Sequence, residues 1–188
     1  RRDERFRYSN IDALAGLWPV EREDITVAAG ESGSLEVIVP ATGAFARHLL
    51  VTVGAGATFD LRVLNAGAAF GRIEIDVVLE ADADFTLGAA QLATGSETVE
   101  IISEVRHTGL HAKSNQVIRS VLAGQATGTY LGRIAVERGA DGTDAAQSVR
   151  AMLLDRSATA NARPELEIFA DDVKAAHGCA VGELDAQG

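Results

Sequence analysis

Two stretches of the sequence, 26 residues apart, carry the same pattern of apolar positions. When Val51–Leu61 is laid on Val77–Leu87, the pairs Val51/Val77, Ala55/Ala81, Ala57/Ala83, Phe59/Phe85 and Leu61/Leu87 are identical, and Val53/Leu79 is conservative. All six pairs fall on one parity, which in an extended chain is one face of a strand with period 2. The positions between them vary freely, as solvent-facing positions do. A weaker echo, Val121–Leu131, keeps a small-residue turn followed by an apolar strand. Single strands that stack like residues one above another predict a β-solenoid, in which each turn buries its face on its neighbours. A β-sandwich or a cupin-like barrel is the alternative arrangement of the same strands.

The rest of the chain agrees with an all-β reading. From Ile25 to Leu184 short β-branched runs recur, bounded by Gly, Asp, Asn and Ala: Ile25–Val27, Leu35–Val39, His48–Val53, Ile73–Val77, Val99–Ile102, Tyr130–Val136 and Leu166–Ile168. Nothing between them sustains a 3.6-residue period long enough for the helices of a βαβ fold. Only the beginning differs. Ile11, Leu14, Leu17 and Trp18 recur at helical spacing, Asn10 or Asp12 is placed to cap, and Pro19 stops the run, so one short helix or turn is predicted there. The expected organisation is an N-terminal segment over residues 1–20 and a β-helix core over residues 21–188. With 19 Gly and only 5% aromatic residues, the composition suits narrow corners and aliphatic ladders.

Charge and composition exclude several function classes. A formal net charge of −10 argues against sequence-independent nucleic-acid binding, which needs clustered cations. No apolar run is long enough to span a bilayer, and the basic start, Arg1–Arg7, does not lead into the apolar stretch of a signal peptide. The one cysteine, Cys179, excludes an internal disulfide and fits a reducing cytoplasm. There is no phosphate loop of the Gly-Lys-Ser/Thr type, no helix follows Gly54 and Gly56, and no nucleophile elbow occurs.

Four histidines remain: His48, His107, His111 and His177. His48 lies in an apolar run and reads as structural. His107 and His111 are four apart, which along a strand separates them by roughly 13 Å, too far to share a metal. Only a tight turn at Thr108–Gly109 would bring them together, so both read as solvated or hydrogen-bonded histidines. His177 and Cys179 are different. Two apart on a strand, they face the same side within roughly 7 Å. Imidazole and thiolate suit iron, zinc or copper, and Asp171, Asp172, Glu183 and Asp185 flank them. The alternative is a buried thiol beside a hydrogen-bonded imidazole, with the acids as solvated turn residues.

Several segments in order then resemble a known family. Gly128–Val136, Thr143–Gln147, Met152–Ala158, Pro164–Ile168 and Ala170–Lys174 with His177–Gly178 closely resemble the SufB/SufD family of iron–sulfur cluster assembly scaffolds. The His of the Lys-x-x-His-Gly segment, at His177, favours the SufD side, and Phe6–Ile11 is similar to the segment preceding the SufD core. The resemblance is dense from Arg106 to Asp185 and sparse from Glu21 to Glu104. It implies a right-handed parallel β-helix, a cytoplasmic complex with SufB and the separate SufC ATPase, and no catalysis by this chain. It also implies that His177 ligates a transient iron–sulfur cluster or iron at the interface with SufB. Cys179 is expected as an auxiliary ligand, the flanking acids as iron-docking groups, and no cluster as tightly held by this chain alone. Two positions depart from the pattern. Ala175 stands where the family commonly has Cys, and the sequence stops at Gly188, before the C-terminal helices through which the family binds SufC.

Donor chemistry points to the same sharing. Iron–sulfur clusters usually take four thiolates, with imidazole an occasional substitute. One Cys and one His must therefore borrow ligands from a second chain. The expected assembly is with SufB, or a homodimer through the last turns near Leu166–Val181 when SufB is absent. Two other readings stay open: a β-helix enzyme acting on polysaccharide or acyl substrates, and a purely structural subunit that ligates nothing.

Overall fold

The inward-facing valines, isoleucines and leucines stack into ladders that hold two parallel sheets face to face. In the computed structural model, which describes residues 8–41 and 43–184, strands alternate between the sheets along the chain. One sheet (sheet A) has the order β1-β3-β5-β7-β9-β11 and the other (sheet B) β12-β10-β8-β6-β4-β2. Their ranges are β1 Arg22–Val27, β2 Ser32–Ile38, β3 Ala44–Val53, β4 Thr58–Ala66, β5 Phe70–Leu79, β6 Asp84–Ala93, β7 Thr98–His107, β8 Lys113–Leu122, β9 Thr127–Val136, β10 Thr143–Leu153, β11 Thr159–Ile168 and β12 Val173–Glu183. Each turn thus adds one strand to each six-stranded sheet, which is a β-solenoid. No helix is long and apolar enough to cross a membrane among the described residues.

The repeat read from the sequence is the pairing register itself. Val51 lies opposite Val77 and Val53 opposite Leu79, while Phe59 lies opposite Phe85 and Leu61 opposite Leu87. One pair is corrected. Ala55 is exposed and Ala81 only half-buried, because both sit in a corner, where the chain turns and the two-residue alternation lapses. The repeat is clear once because its length drifts. In sheet A the offset is 26 residues from β3 to β5 (Ala44 opposite Phe70) and 28 from β5 to β7 (Phe70 opposite Thr98). It is 29 from β7 to β9 (Thr98 opposite Thr127) and 32 from β9 to β11 (Thr127 opposite Thr159). Strand lengths hardly change, so the extra residues enter the corners.

One column of corner positions explains an otherwise odd histidine. Gly30, Gly56, Asp82, His111 and Gly142 all have positive φ, from 56° to 74°. Each backbone N–H in this column donates to a carbonyl one turn on: Gly30 to Ala55, Gly56 to Ala81, Asp82 to Leu110, His111 to Asp141 and Gly142 to Asp172. Glycine takes this left-handed conformation without a Cβ clash, and Asp and His are among the residues that tolerate it. His111 is therefore a corner residue stacked on Gly142, where an added Cβ would run into its imidazole.

The interior changes character along the axis. Near the start it is aliphatic and aromatic, with Leu49, Val51, Phe59, Leu61, Ile75 and Phe85 in one cluster drawn from both sheets. Phe59 and Phe85 stack with ring centroids 6.4 Å apart. Farther along, Ser103, Gln116, Tyr130 and Gln147 occupy inward positions and bond one another: Ser103 Oγ donates to Gln116 Oε1 at 3.0 Å, and Gln147 Nε2 to the Tyr130 hydroxyl at 2.8 Å. Gly132 leaves the space the phenol fills, since a Cβ there would strike both Tyr130 and Gln147. Burial pushes the Tyr130 phenol pKa up.

The beginning of the chain closes over the outer face of sheet A. The predicted helix is present as α1, Ile11–Ala15, with the Asn10 side chain accepting from the Ala13 N–H at 3.2 Å. Leu14 is buried, whereas Ile11 and Trp18 are exposed, so the helical stripe covers less than its spacing suggested. Just before the helix, Ser9 Oγ and the Asn10 N–H donate to the carboxylate of Glu100, at 2.6 and 3.0 Å. Glu100 is itself ion-paired with Arg72 at 2.8 Å, and both side chains are almost wholly buried. This pair was not legible as a pair in the sequence. Phe6 and Arg7, which contributed to the family resemblance, lie outside the described residues.

Candidate functional site

The last turn, β11 and β12, is where the interior reaches the surface. In a solenoid each inward side chain is buried by the turns on either side, and among the described residues β11 and β12 have a neighbour on one side only. β12 pairs with β10 along its whole length, placing His177 beside Gln147 and Cys179 beside Val149. Parallel partners in register face the same way, so both residues point to the inward side of sheet B. There, His177 ends a column of Leu61, Leu87, Gln116 and Gln147. The change from leucine to glutamine along this column converts an apolar ladder into hydrogen-bonding groups beneath the imidazole.

Both candidate residues are exposed. The Cys179 thiol makes one long contact, 3.8 Å to the carbonyl of Ala162 on β11, so the two strands of the last turn still face each other. Around them are small side chains, Ala162, Ala175 and Pro164; proline is tolerated because β11 is an edge strand. Ile168, Phe169, Val181 and Leu184 add exposed apolar surface at the same end, and Phe169 and Leu184 are each 56% accessible. Polar capacity remains beneath the imidazole: Gln147 Oε1 and Gln116 Nε2 are buried without a hydrogen-bond partner among the described residues.

The structure sorts the sequence-predicted residues. It sets His177 and Cys179 on one face of one strand, as their spacing required. It does not gather the flanking acids around them. Asp171 and Asp172 are in the corner before β12, where the Asp171 N–H donates to Asp141 Oδ1 and the Asp172 carbonyl accepts from Gly142. Asp172 is thus about 16 Å of strand from His177, and Glu183 about 20 Å on the far side. Asp185 lies outside the described residues. Among the described residues, no third His, Cys, Asp or Glu donor closes on His177 and Cys179 together.

The other histidines do different work. A turn does separate His107 from His111, but the two part company there. His107 ends β7 pointing inward, its Nε2 bonded to Ser114 Oγ at 2.9 Å, while His111 occupies the corner column. Burial lowers the His107 pKa from 6.5 to about 4, against a smaller raising effect from the Ala112 backbone. His48 is not in the core. It faces outward beside Leu49 and Val51, with Nε2 2.9 Å from Asp76 Oδ2. The signal missed in the sequence was the set Ser103, Gln116, Gln147: polar residues on the inward parity of otherwise apolar strands.

Comparison with known proteins supplies the context. Residues 41–188 match the SufBD core domain of the SUF system for iron–sulfur cluster assembly. A chloroplastic protein of Arabidopsis thaliana, ABCI7, is 31% identical over 131 residues, covering 68% of this chain and 27% of its own length. A SufBD family iron–sulfur cluster assembly protein of Synechocystis is 26% identical over 159 residues, covering 84% of this chain and 33% of its own. The iron–sulfur cluster assembly protein SufD of Escherichia coli is 29% identical over 90 residues, 48% of this chain and 21% of SufD. The chain thus spans a third or less of the length of these relatives. With residues 41–188 matched by the core domain, the chain belongs to the SufBD family of iron–sulfur cluster assembly proteins and is SufD-like within it.

Proposed function

We propose that the chain is a non-enzymatic scaffold subunit that pairs through its last turn with a SufB-type partner, in the cytoplasm, and works with the SufC ATPase. The cargo is a nascent iron–sulfur cluster or iron held transiently between the two chains. His177 ligates it, and Cys179 serves as the auxiliary ligand. The observation that supports this reading is the inward face of β12, on which His177 and Cys179 are exposed together as the two donors found there among the described residues. A cluster needs about four ligands. Two donors on an open edge strand suit a shared site and are poorly suited to retaining a cluster alone.

The last turn also suits pairing for reasons independent of iron. Among the described residues β11 and β12 are edge strands, and an exposed edge is a template for another strand. In the absence of SufB the same surface forms a homodimer; sedimentation showing a monomer at micromolar concentration counts against this. The test of the ligand role is His177→Ala in the reconstituted complex with SufB and SufC. The expected result is loss of cluster formation with the complex intact. Unchanged cluster formation in an intact complex eliminates the ligand role and leaves a structural subunit.

A further inference from the structure

We propose that His48, Glu74 and Asp76 form a binding site for one first-row divalent transition ion, of the Zn2+ or Fe2+ class, on the outer face of sheet A. The site is independent of the function proposed above and lies on β3 and β5, whereas His177 and Cys179 are on the last strand of the other sheet.

The register builds it. His48 on β3 lies directly opposite Glu74 on β5, and Asp76 is two residues farther along β5 on the same outward face. One nitrogen of His48 and one oxygen from each carboxylate lie within 4.8 Å of one another. Donors around a single ion at about 2.0–2.2 Å from it stand within such a span, so small side-chain adjustments suffice and the strands need not move. Sheet hydrogen bonding on both sides of β5 fixes the two carboxylates. The side chains of His48 and Asp76 are each 25% accessible, enough for an ion to enter and for water to complete its coordination.

The donor set selects the ion. One imidazole and two carboxylates suit zinc, iron(II) or manganese, lack the thiolate that copper(I) favours, and offer too few oxygens for calcium. The competing use of the same groups is a hydrogen bond: His48 Nε2 already meets Asp76 Oδ2 at 2.9 Å. Arg72 also holds Glu74, at 3.1 Å, but that guanidinium is shared with the buried Glu100 at 2.8 Å. An ion binding here takes the place of the proton between His48 and Asp76, and Arg72 remains beside Glu74 to position it.

The test is Zn2+ titration of the tag-free chain by calorimetry, in a His177→Ala, Cys179→Ser background that silences the other end. One equivalent per chain is expected, and Co2+ in its place gives the visible absorption of a bound, low-symmetry ion. Asp76→Asn keeps the volume and a hydrogen bond to His48, yet weakens Zn2+ binding by at least about 10-fold, as does Glu74→Gln. Absence of binding, or binding undiminished in both variants, overturns the proposal and leaves the His48–Asp76 hydrogen bond alone. Circular dichroism of Asp76→Asn separates lost ligation from lost fold. Should that variant unfold, failure of Zn2+ to raise the melting temperature of the background chain overturns the proposal equally.

Discussion

Phe85 on β6 and Cys179 on β12 lie on the inward side of the same sheet, yet Phe85 is fully buried and Cys179 is exposed. Their strands have nearly the same length, and each pairs in parallel with the strand before it in its sheet. What differs is the number of turns beside them. β6 has β4 on one side and β8 on the other, whereas β12 has β10 alone among the described residues. The change in residue type sets in earlier, at the still buried β8. Column by column, Phe59 and Phe85 give way to Ser114, Ala145 and Ala175, and Leu61 and Leu87 to Gln116, Gln147 and His177. Strands on both sides bury inward residues whatever their polarity, Gln116, Ala145 and Gln147 included; on β12, which has a strand on one side only among the described residues, the same parity presents His177, Cys179 and Val181.

The sharpest way to break this comparison is to delete side-chain volume at both places. Phe85→Ala should cost about 3–5 kcal/mol, the loss of a fully buried aromatic together with the cavity it leaves against Phe59. Val181→Ala, on the inward side of the last turn but 48% accessible, should stay within about 0.5 kcal/mol. Urea-unfolding midpoints of the two variants give the answer. Similar losses would mean that the last turn is packed as tightly as the middle.

The same contrast explains what the sequence revealed. The architecture was legible from Val51–Leu61 and Val77–Leu87 because the 26-residue offset there equals the register offset, and identical residues therefore stack. Later turns hid their repeat because lengthening corners moved the offset to 28 and beyond. Cys179 and His177 could be placed on one face from spacing alone, since period 2 is a local property. Their exposure could not, because it depends on which strands flank β12, and among the described residues that is β10 alone. Likewise the Arg72–Glu100 pair joins residues on adjacent strands and is sealed by Ser9 and Asn10, some 90 positions away from Glu100. Long-range closure of that kind leaves no trace in local pattern. The Ala55/Ala81 identity misled for the converse reason: a shared corner shape repeats as faithfully as a shared core.

A second test uses proton binding, and its effect is smaller. His107 is inward on β7, with turns on both sides, and its imidazole is held neutral, with a pKa of about 4 against 6.5 when unhindered. As pH falls below 6.5 the unfolded chain takes up the proton first, so stability is full above that value and declines until about pH 4. Between pH 7 and pH 5 the loss from this group is roughly 2 kcal/mol. His107→Gln, which retains a hydrogen bond to Ser114, should flatten that part of the decline in urea unfolding at the two pH values. An unchanged slope would show that His107 is not enclosed as the comparison requires.

The smallest expected effect is at Cys179, where the comparison predicts almost no thermodynamic change but a clear kinetic one. Its sulfur meets the Ala162 carbonyl at 3.8 Å, a weak contact, so Cys179→Ser should alter stability by no more than about 0.5 kcal/mol. The native thiol should react with a small aromatic disulfide nearly as fast as it does in urea, since no opening of the solenoid is needed to reach it. A second copy docked on β12 would slow that reaction, and dilution would restore it because dissociation uncovers the strand. Protection that persists at high dilution has neither explanation available. It would mean that the last turn is covered from within the same chain, and that the contrast between a closed middle and an open end is wrong.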